Sequence, residues 1–319
     1  MHPRDRPAAL LWATLGAAAI GGAGLLLRSR RAAPPLARLT PRQPRRSATV
    51  RAARRLNRAA GVLATCVLAD STIEHYRGSF HNRAMIAPLL SGGLSLAVSL
   101  HGHLDRRAAA HRVRDVVYAT AILAGLTGTA FHLYNVGSKP GGFRWENLFY
   151  GAPLGAPAAL LLSGGTGYLA ERVRSTPRWR TPRIAGLPAG RTVAAATAVG
   201  LLGTVAEAGL LHFRGAFNDP FMYVPLTLPP LSALCIASAA LGPRRTDRWL
   251  TRAMLRLTAF VGLAGAAFHL RGINRQMGGW HNVWQNVLNG PPISAPPSFS
   301  GLALAGLAAL GLIEDHPDG

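Results

Sequence analysis

His75-Tyr76-Arg77-Gly78-Ser79-Phe80, followed by Met85 and Pro88-Leu89, returns 137 residues later as His212-Phe213-Arg214-Gly215-Ala216-Phe217, followed by Met222 and Pro225-Leu226. At the same offset Phe131-His132-Leu133 matches Phe268-His269-Leu270, and Gly141-Gly142 matches Gly278-Gly279. After two inserted residues, Gly151-x-Pro153-x-x-Ala156-Pro157 matches Gly290-x-Pro292-x-x-Ala295-Pro296. So many uncommon residues at one spacing mark an internal duplication, and residues kept in both copies are those the shared architecture needs.

The segments around these motifs are apolar. Hydrophobic residues make up 49% of the 319 and charged residues 15%, yet the net charge is +22. Nine runs of about the length that crosses a bilayer, roughly 20 residues, lie at 8–27, 58–76, 84–102, 114–134, 151–170, 192–212, 221–241, 252–270 and 291–313. The runs are continuous and not alternating, which excludes a membrane β-barrel. The expected fold is an all-α integral membrane protein with about nine transmembrane helices: an N-terminal helix plus two tandem four-helix repeats. The expected units are residues 1–57 (helix and Arg-rich cytoplasmic segment), 58–173 (first repeat), 174–191 (linker) and 192–319 (second repeat).

Orientation follows from the arginines. The connections 28–58, 103–115, 171–191 and 242–256 hold 11, 4, 6 and 5 of the 35 Lys and Arg residues. Positive-inside counting places these connections in the cytoplasm, the N-terminus outside and the C-terminus inside, in the plasma membrane. Each repeat then enters from the cytoplasm, so the copies have parallel topology. A basic chain of this kind faces lipid headgroups, and no nucleic-acid partner is expected. Arg28-Ser29-Arg30-Arg31 follows the first run where a signal peptide would carry a small-residue cleavage site, so that run reads as a retained helix. Cys66 and Cys235 fall in spans and do not match under the repeat, so neither a disulfide framework nor a cysteine metal site is expected.

Within each repeat (spans A to D) the shared polar residues gather at the outer face. His75 and His132 stand about 17 and 18 residues from the cytoplasmic starts of spans A and C, near 26 Å up at about 1.5 Å per residue. His212 and His269 repeat this. A pair of histidines at one level in a four-helix bundle is the requirement for bis-imidazole haem ligation or a small metal site. Gly125 and Gly128 precede His132 by seven and four residues, as Gly262 and Gly265 precede His269, and these glycines would admit a macrocycle edge. Glycines at this spacing also serve close helix approach. Arg77 and Arg214 would pair with propionates, and a histidine at a helix end can instead satisfy open carbonyls.

Three carboxylates, Asp70, Glu74 and Glu207, fall within spans, where an unpaired charge is expensive. Asp70 and Glu207 are equivalent under the repeat. Asp70 and Glu74 share a helix face, and Leu211 stands where a second Glu74 would be. They are the candidate catalytic or proton-carrying residues, with helix packing as the alternative. The outer loops interleave aromatics with Asn, as an interfacial belt or a quinone headgroup site would.

The layout is similar to that of membrane anchor subunits of quinone-linked oxidoreductases, in topology alone. The expectation is therefore a redox subunit binding haem b or a quinone at the outer face and exchanging electrons with a partner subunit. A small-molecule or ion transporter and a membrane enzyme acting on a lipid are the alternatives.

Overall fold

The computed structural model describes residues 46–177, 180–242 and 248–316, with the side chains of residues 46 and 47 excepted. The expected first span, 8–27, lies outside the described residues. Among those described the chain is 79% helical, in ten α-helices. Eight are long: α1 (Arg46–Arg77), α2 (Ala87–Leu104), α3 (Arg112–Gly137), α5 (Gly155–Arg174), α6 (Ala189–Arg214), α7 (Val224–Leu241), α8 (Trp249–Asn274) and α10 (Pro297–Asp315). Two are short, α4 (Trp145–Tyr150) and α9 (Val283–Asn289), and occupy the connections before α5 and α10. A two-residue hairpin, β1 (Arg183–Ile184) with β2 (Leu187–Pro188), sits in the 174–191 linker and turns through positive φ at Ala185 and Gly186.

Six helices are long and apolar enough to cross a membrane: α2 and α7, each with its leading 3₁₀ turn, and α3, α6, α8 and α10. The expected spans 58–76 and 151–170 fall in α1 and α5, which are not among the six. The reason lies in their sequences. Helix α1 carries Arg51, Arg54, Arg55 and Arg58 at one end and Asp70 and Glu74 toward the other. Helix α5 mixes glycine, serine and threonine with Glu171, Arg172 and Arg174. Both pack on several neighbouring helices.

The packing is orderly. Helix α1 lies against α2 and α5, α2 against α3, and α3 against α5. In the second set α6 lies against α7 and α10, α7 against α8, and α8 against α10. Sequential neighbours joined by short connections pack antiparallel, which places α1 diagonally from α3, and α6 from α8. The two sets meet through α1 on α10 and α5 on α6.

Small residues set these distances. Gly301 lets α10 approach the Leu63 side chain of α1, and Gly190 lets α6 approach Ile313. The largest apolar core is built at this junction from residues such as Leu56, Leu63, Leu201, Leu302 and Leu310. Mixing large apolar side chains with glycine and alanine is how membrane helices gain dispersion contact without a hydrophobic drive.

Candidate functional site

Most of the repeated polar residues have a local structural task. After α1, Gly78 gives way to Ser79 and Phe80, both at positive φ (56° and 46°), and Ala216 and Phe217 do the same after α6 (54° and 48°). Non-glycine residues there store strain that surrounding contacts must hold. The Phe80 amide donates to the His75 carbonyl oxygen, and the Phe217 amide to that of His212. Phe80 then meets the His75 ring edge-on at 6.3 Å, as Phe217 meets His212 at 6.3 Å. Asn82 Oδ1 accepts from the Ala84 amide and Asp219 Oδ1 from that of Phe221, each capping a 3₁₀ turn. The Gly-Gly turns run at positive φ (88° and 63°; 78° and 51°). Asn147 donates to the Pro140 and Gly142 oxygens across the first, and Asn286 to those of Met277 and Gly279 across the second.

The four histidines share a finer geometry. Nδ1 lies 2.6 Å from the Met85 carbonyl oxygen in His75 and 2.7 Å from that of Met222 in His212. It lies 2.5 Å from the Pro153 oxygen in His132 and 2.6 Å from the Pro292 oxygen in His269. A carbonyl only accepts, so Nδ1 carries the proton in all four rings, and Nε2 of the neutral ring keeps its lone pair. The rings are half-buried. His132 lies near enough to His75, and His212 to His269, for charge on one ring to act on the other.

The glycines below these rings are filled. A Cβ on Gly125 would meet the Leu161 amide nitrogen at 2.5 Å, and one on Gly262 the Ser300 nitrogen at 2.8 Å. Gly128 and Gly265 face Pro157 and Pro296 (3.1 and 2.8 Å to the proline Cβ). This corrects the expected macrocycle groove at Gly125, Gly128, Gly262 and Gly265: helices α5 and α10 occupy it, and the glycines serve helix approach.

The acids each have a defined partner. Glu74 is half-exposed and paired with Arg77 at 2.8 Å, so Arg77 has a carboxylate partner of its own. Arg214 instead lies over the Phe149 and Tyr150 rings, 5.7 and 6.0 Å from their centroids. Asp70 Oδ1 accepts from Ser294 Oγ at 3.0 Å, and Glu207 Oε1 from the Gly155 amide at 3.0 Å. Ser294 stands 139 residues after Gly155, the offset at which Pro292 follows Pro153, so each acid reaches across to the other set of helices at a matching point. The acids are near enough for charge on Asp70 to act on Glu207. The aromatics obey the same exchange: Tyr76 meets Trp284 at 5.1 Å, and its counterpart Phe213 meets Trp145 at 6.4 Å.

One constellation was not anticipated. At the arginine-rich end Arg114 bonds Asp105 and Glu171 (2.9 Å each), with Arg114 and Glu171 fully buried. Arg174, also buried, donates to the Asn57 side chain at 3.0 Å and to the Gly102, Asp105 and Arg107 oxygens. Asn57 donates to the Tyr118 hydroxyl, which also meets Ser99. Partial burial works against a charge on Asp105. The Arg107 amide and the Arg114 and Arg174 charges nonetheless hold its carboxyl below the ordinary carboxylate value. The equivalent positions in the second set are Ala194, Ile236, Gly242, Thr251, Leu255, Leu310 and Ile313. The signal available in the sequence was that contrast between copies.

Among the described residues no three His, Cys, Asp or Glu side chains form a metal-ligating group. Comparison with family models, curated proteins and solved structures finds none that matches this chain.

Proposed function

We propose that this chain is a nine-span plasma-membrane protein, N-terminus outside and C-terminus in the cytoplasm, built from two parallel four-helix repeats. In this reading it is a redox subunit that holds haem b between His75 and His132 and between His212 and His269. The observation that carries this is the uniform histidine geometry. With the neighbouring turns, caps and aromatics assigned to structure, what remains on the repeated face is four Nε2 lone pairs, in two pairs on diagonal helices. Each is fixed by an Nδ1–H bond to a carbonyl, the second-sphere contact that orients a metal-bound imidazole. Two protein ligands are too few for a bare metal site, whereas porphyrin iron takes four ligands from its macrocycle and needs only two more.

With α5 and α10 filling the glycine grooves, His75, His132, His212 and His269 would hold the haem, which would supply one-electron chemistry at the outer face. The redox partner and any quinone then approach from the outer face. The test is the absorption spectrum of detergent-purified protein, as isolated and after haem addition. A Soret band with reduced α and β bands is expected, and His132→Ala and His269→Ala should each remove about half of it. Protein that stays colourless after haem addition, while folded, refutes the reading.

The Asp70–Glu207 neighbourhood favours a second reading, proton- or ion-coupled transport, because parallel-repeat transporters place their site where the repeats meet. Asp70→Asn or Glu207→Gln that leaves the protein folded and removes ion-dependent uptake into vesicles would support transport over redox chemistry.

A further inference from the structure

At the arginine-rich end of α1, Arg54, Arg55 and Arg58 form a like-charged triangle. At 3.6 residues per turn Arg58 lies between the other two around the helix and one turn further in. Arg54 leans to α2, where its Nε donates to the His103 oxygen at 2.6 Å. Arg55 leans to α10, its guanidinium 3.4 Å from where a Cβ on Gly311 would stand. Arg58 therefore occupies the groove over α1 between α2 and α10.

Its Nε is buried and has no hydrogen-bond partner. The charges that act on it are those of Arg55 and Arg54, which repel it. Neighbouring carboxylates are committed elsewhere: Asp105 to Arg114, and Glu314 to Arg252. Arg58 is only half-buried, but a buried Nε–H with no acceptor beside two like charges is costly unless an anion joins it. One turn further along, the partly exposed Leu100 of α2 and Leu304 of α10, packed over the buried Val62 and Leu96, continue the groove as an apolar surface. In the second repeat the equivalents of Arg55 and Arg58 are Thr192 and Ala195, so the duplicated fold does not itself require this cluster.

We infer that this groove binds an anionic phospholipid, with its phosphate on Arg54, Arg55 and Arg58 and an acyl chain along Leu100 and Leu304. The headgroup chemistry is a phosphate ester, and the apolar continuation selects a lipid over free phosphate. The site does not depend on the histidine reading; the proposed orientation only makes the leaflet the cytoplasmic one.

The test uses the full chain purified in uncharged detergent and exposed to phosphatidylglycerol, phosphatidylcholine or inorganic phosphate, with retained lipid counted by native mass spectrometry. Phosphatidylglycerol should be retained over phosphatidylcholine, and millimolar inorganic phosphate should not displace it. Arg58→Gln and Arg55→Gln should each weaken retention about fivefold, the effect of one arginine near a charged lipid surface. Arg183→Gln, an exposed change away from the groove, should leave retention unchanged. Arg55 is exposed, so its variant reports even if loss of Arg58 disturbs folding. Equal retention of both lipids, or Arg55→Gln binding like wild type, overturns the site. Displacement by inorganic phosphate overturns the lipid assignment.

Discussion

Replacing Glu171 by leucine, the residue at the equivalent position 310, should be among the most damaging single changes outside the proposed haem site. Glu171 accepts from Arg114 at 2.9 Å and from the His111 amide at 3.0 Å, and stands 3.4 Å from Arg174 Nε. All three side chains of the ion cluster are fully buried. The substitution leaves two guanidiniums sharing Asp105, which is 12% exposed, and strands an amide donor. Breaking a buried ion pair in this way costs about 3–5 kcal/mol.

The residues that stand at the matching sequence offset supply the control. The uncharged set there predicts that Asn57→Ala, Ser99→Ile, Asp105→Gly, Arg114→Thr, Tyr118→Leu, Glu171→Leu and Arg174→Ile, made together, recover most of that loss, since uncharged replacement of a whole buried ion cluster is often neutral or stabilising. Steric trapping in micelles, which reads the folding equilibrium directly, would measure both. A Glu171→Leu cost under about 1 kcal/mol, the scale of an exposed pair, would refute the buried network. A combined variant no more stable than Glu171→Leu alone would refute the equivalence of the two sites.

Other outcomes follow from named contacts. Gly125→Leu should disrupt folding because even a Cβ would meet the Leu161 amide at 2.5 Å, whereas Gly93→Ala, with nothing within 4 Å, should leave the melting temperature unchanged in detergent. Asp70→Asn and Glu207→Gln keep an acceptor oxygen and should preserve folding, while Glu207→Ala leaves the Gly155 amide without its side-chain acceptor and should cost about 1–3 kcal/mol. Because the Asp105 carboxyl is held below its ordinary value, its contribution is present above about pH 4 and lost as pH falls through its lowered value. An acid melting series should show that loss in wild type and not in Asp105→Asn. A cysteine at Ser138 should react with an impermeant thiol reagent added outside cells, and one at Ser175 should not; the reverse would invert the proposed topology.

How much of this was legible in the sequence depends on whether the contacts are local. The His-x-x-Gly-x-Phe turn and the Asn-capped Gly-Gly loop join residues a few positions apart, and the sequence shows each motif twice. The histidines were legible as pairs for the same reason. Their Nδ1 partners were not, because Met85 and Pro153 offer backbone carbonyls, which no side-chain pattern reveals. The partners of Asp70 and Glu207 come from the other set of helices, so spacing within a repeat could not reach them. Asp70, Glu207, Tyr76 and Phe213 each contact the other set of helices, so losing one contact weakens the junction on one side only. The buried cluster of Asn57, Arg114, Glu171 and Arg174 was hidden differently. Its arginines sit where positive-inside counting expects arginine, and topology accounted for them before packing was considered. Burial separates the two roles, since an arginine that only orients a helix stays wet, whereas Arg114 and Arg174 are fully buried.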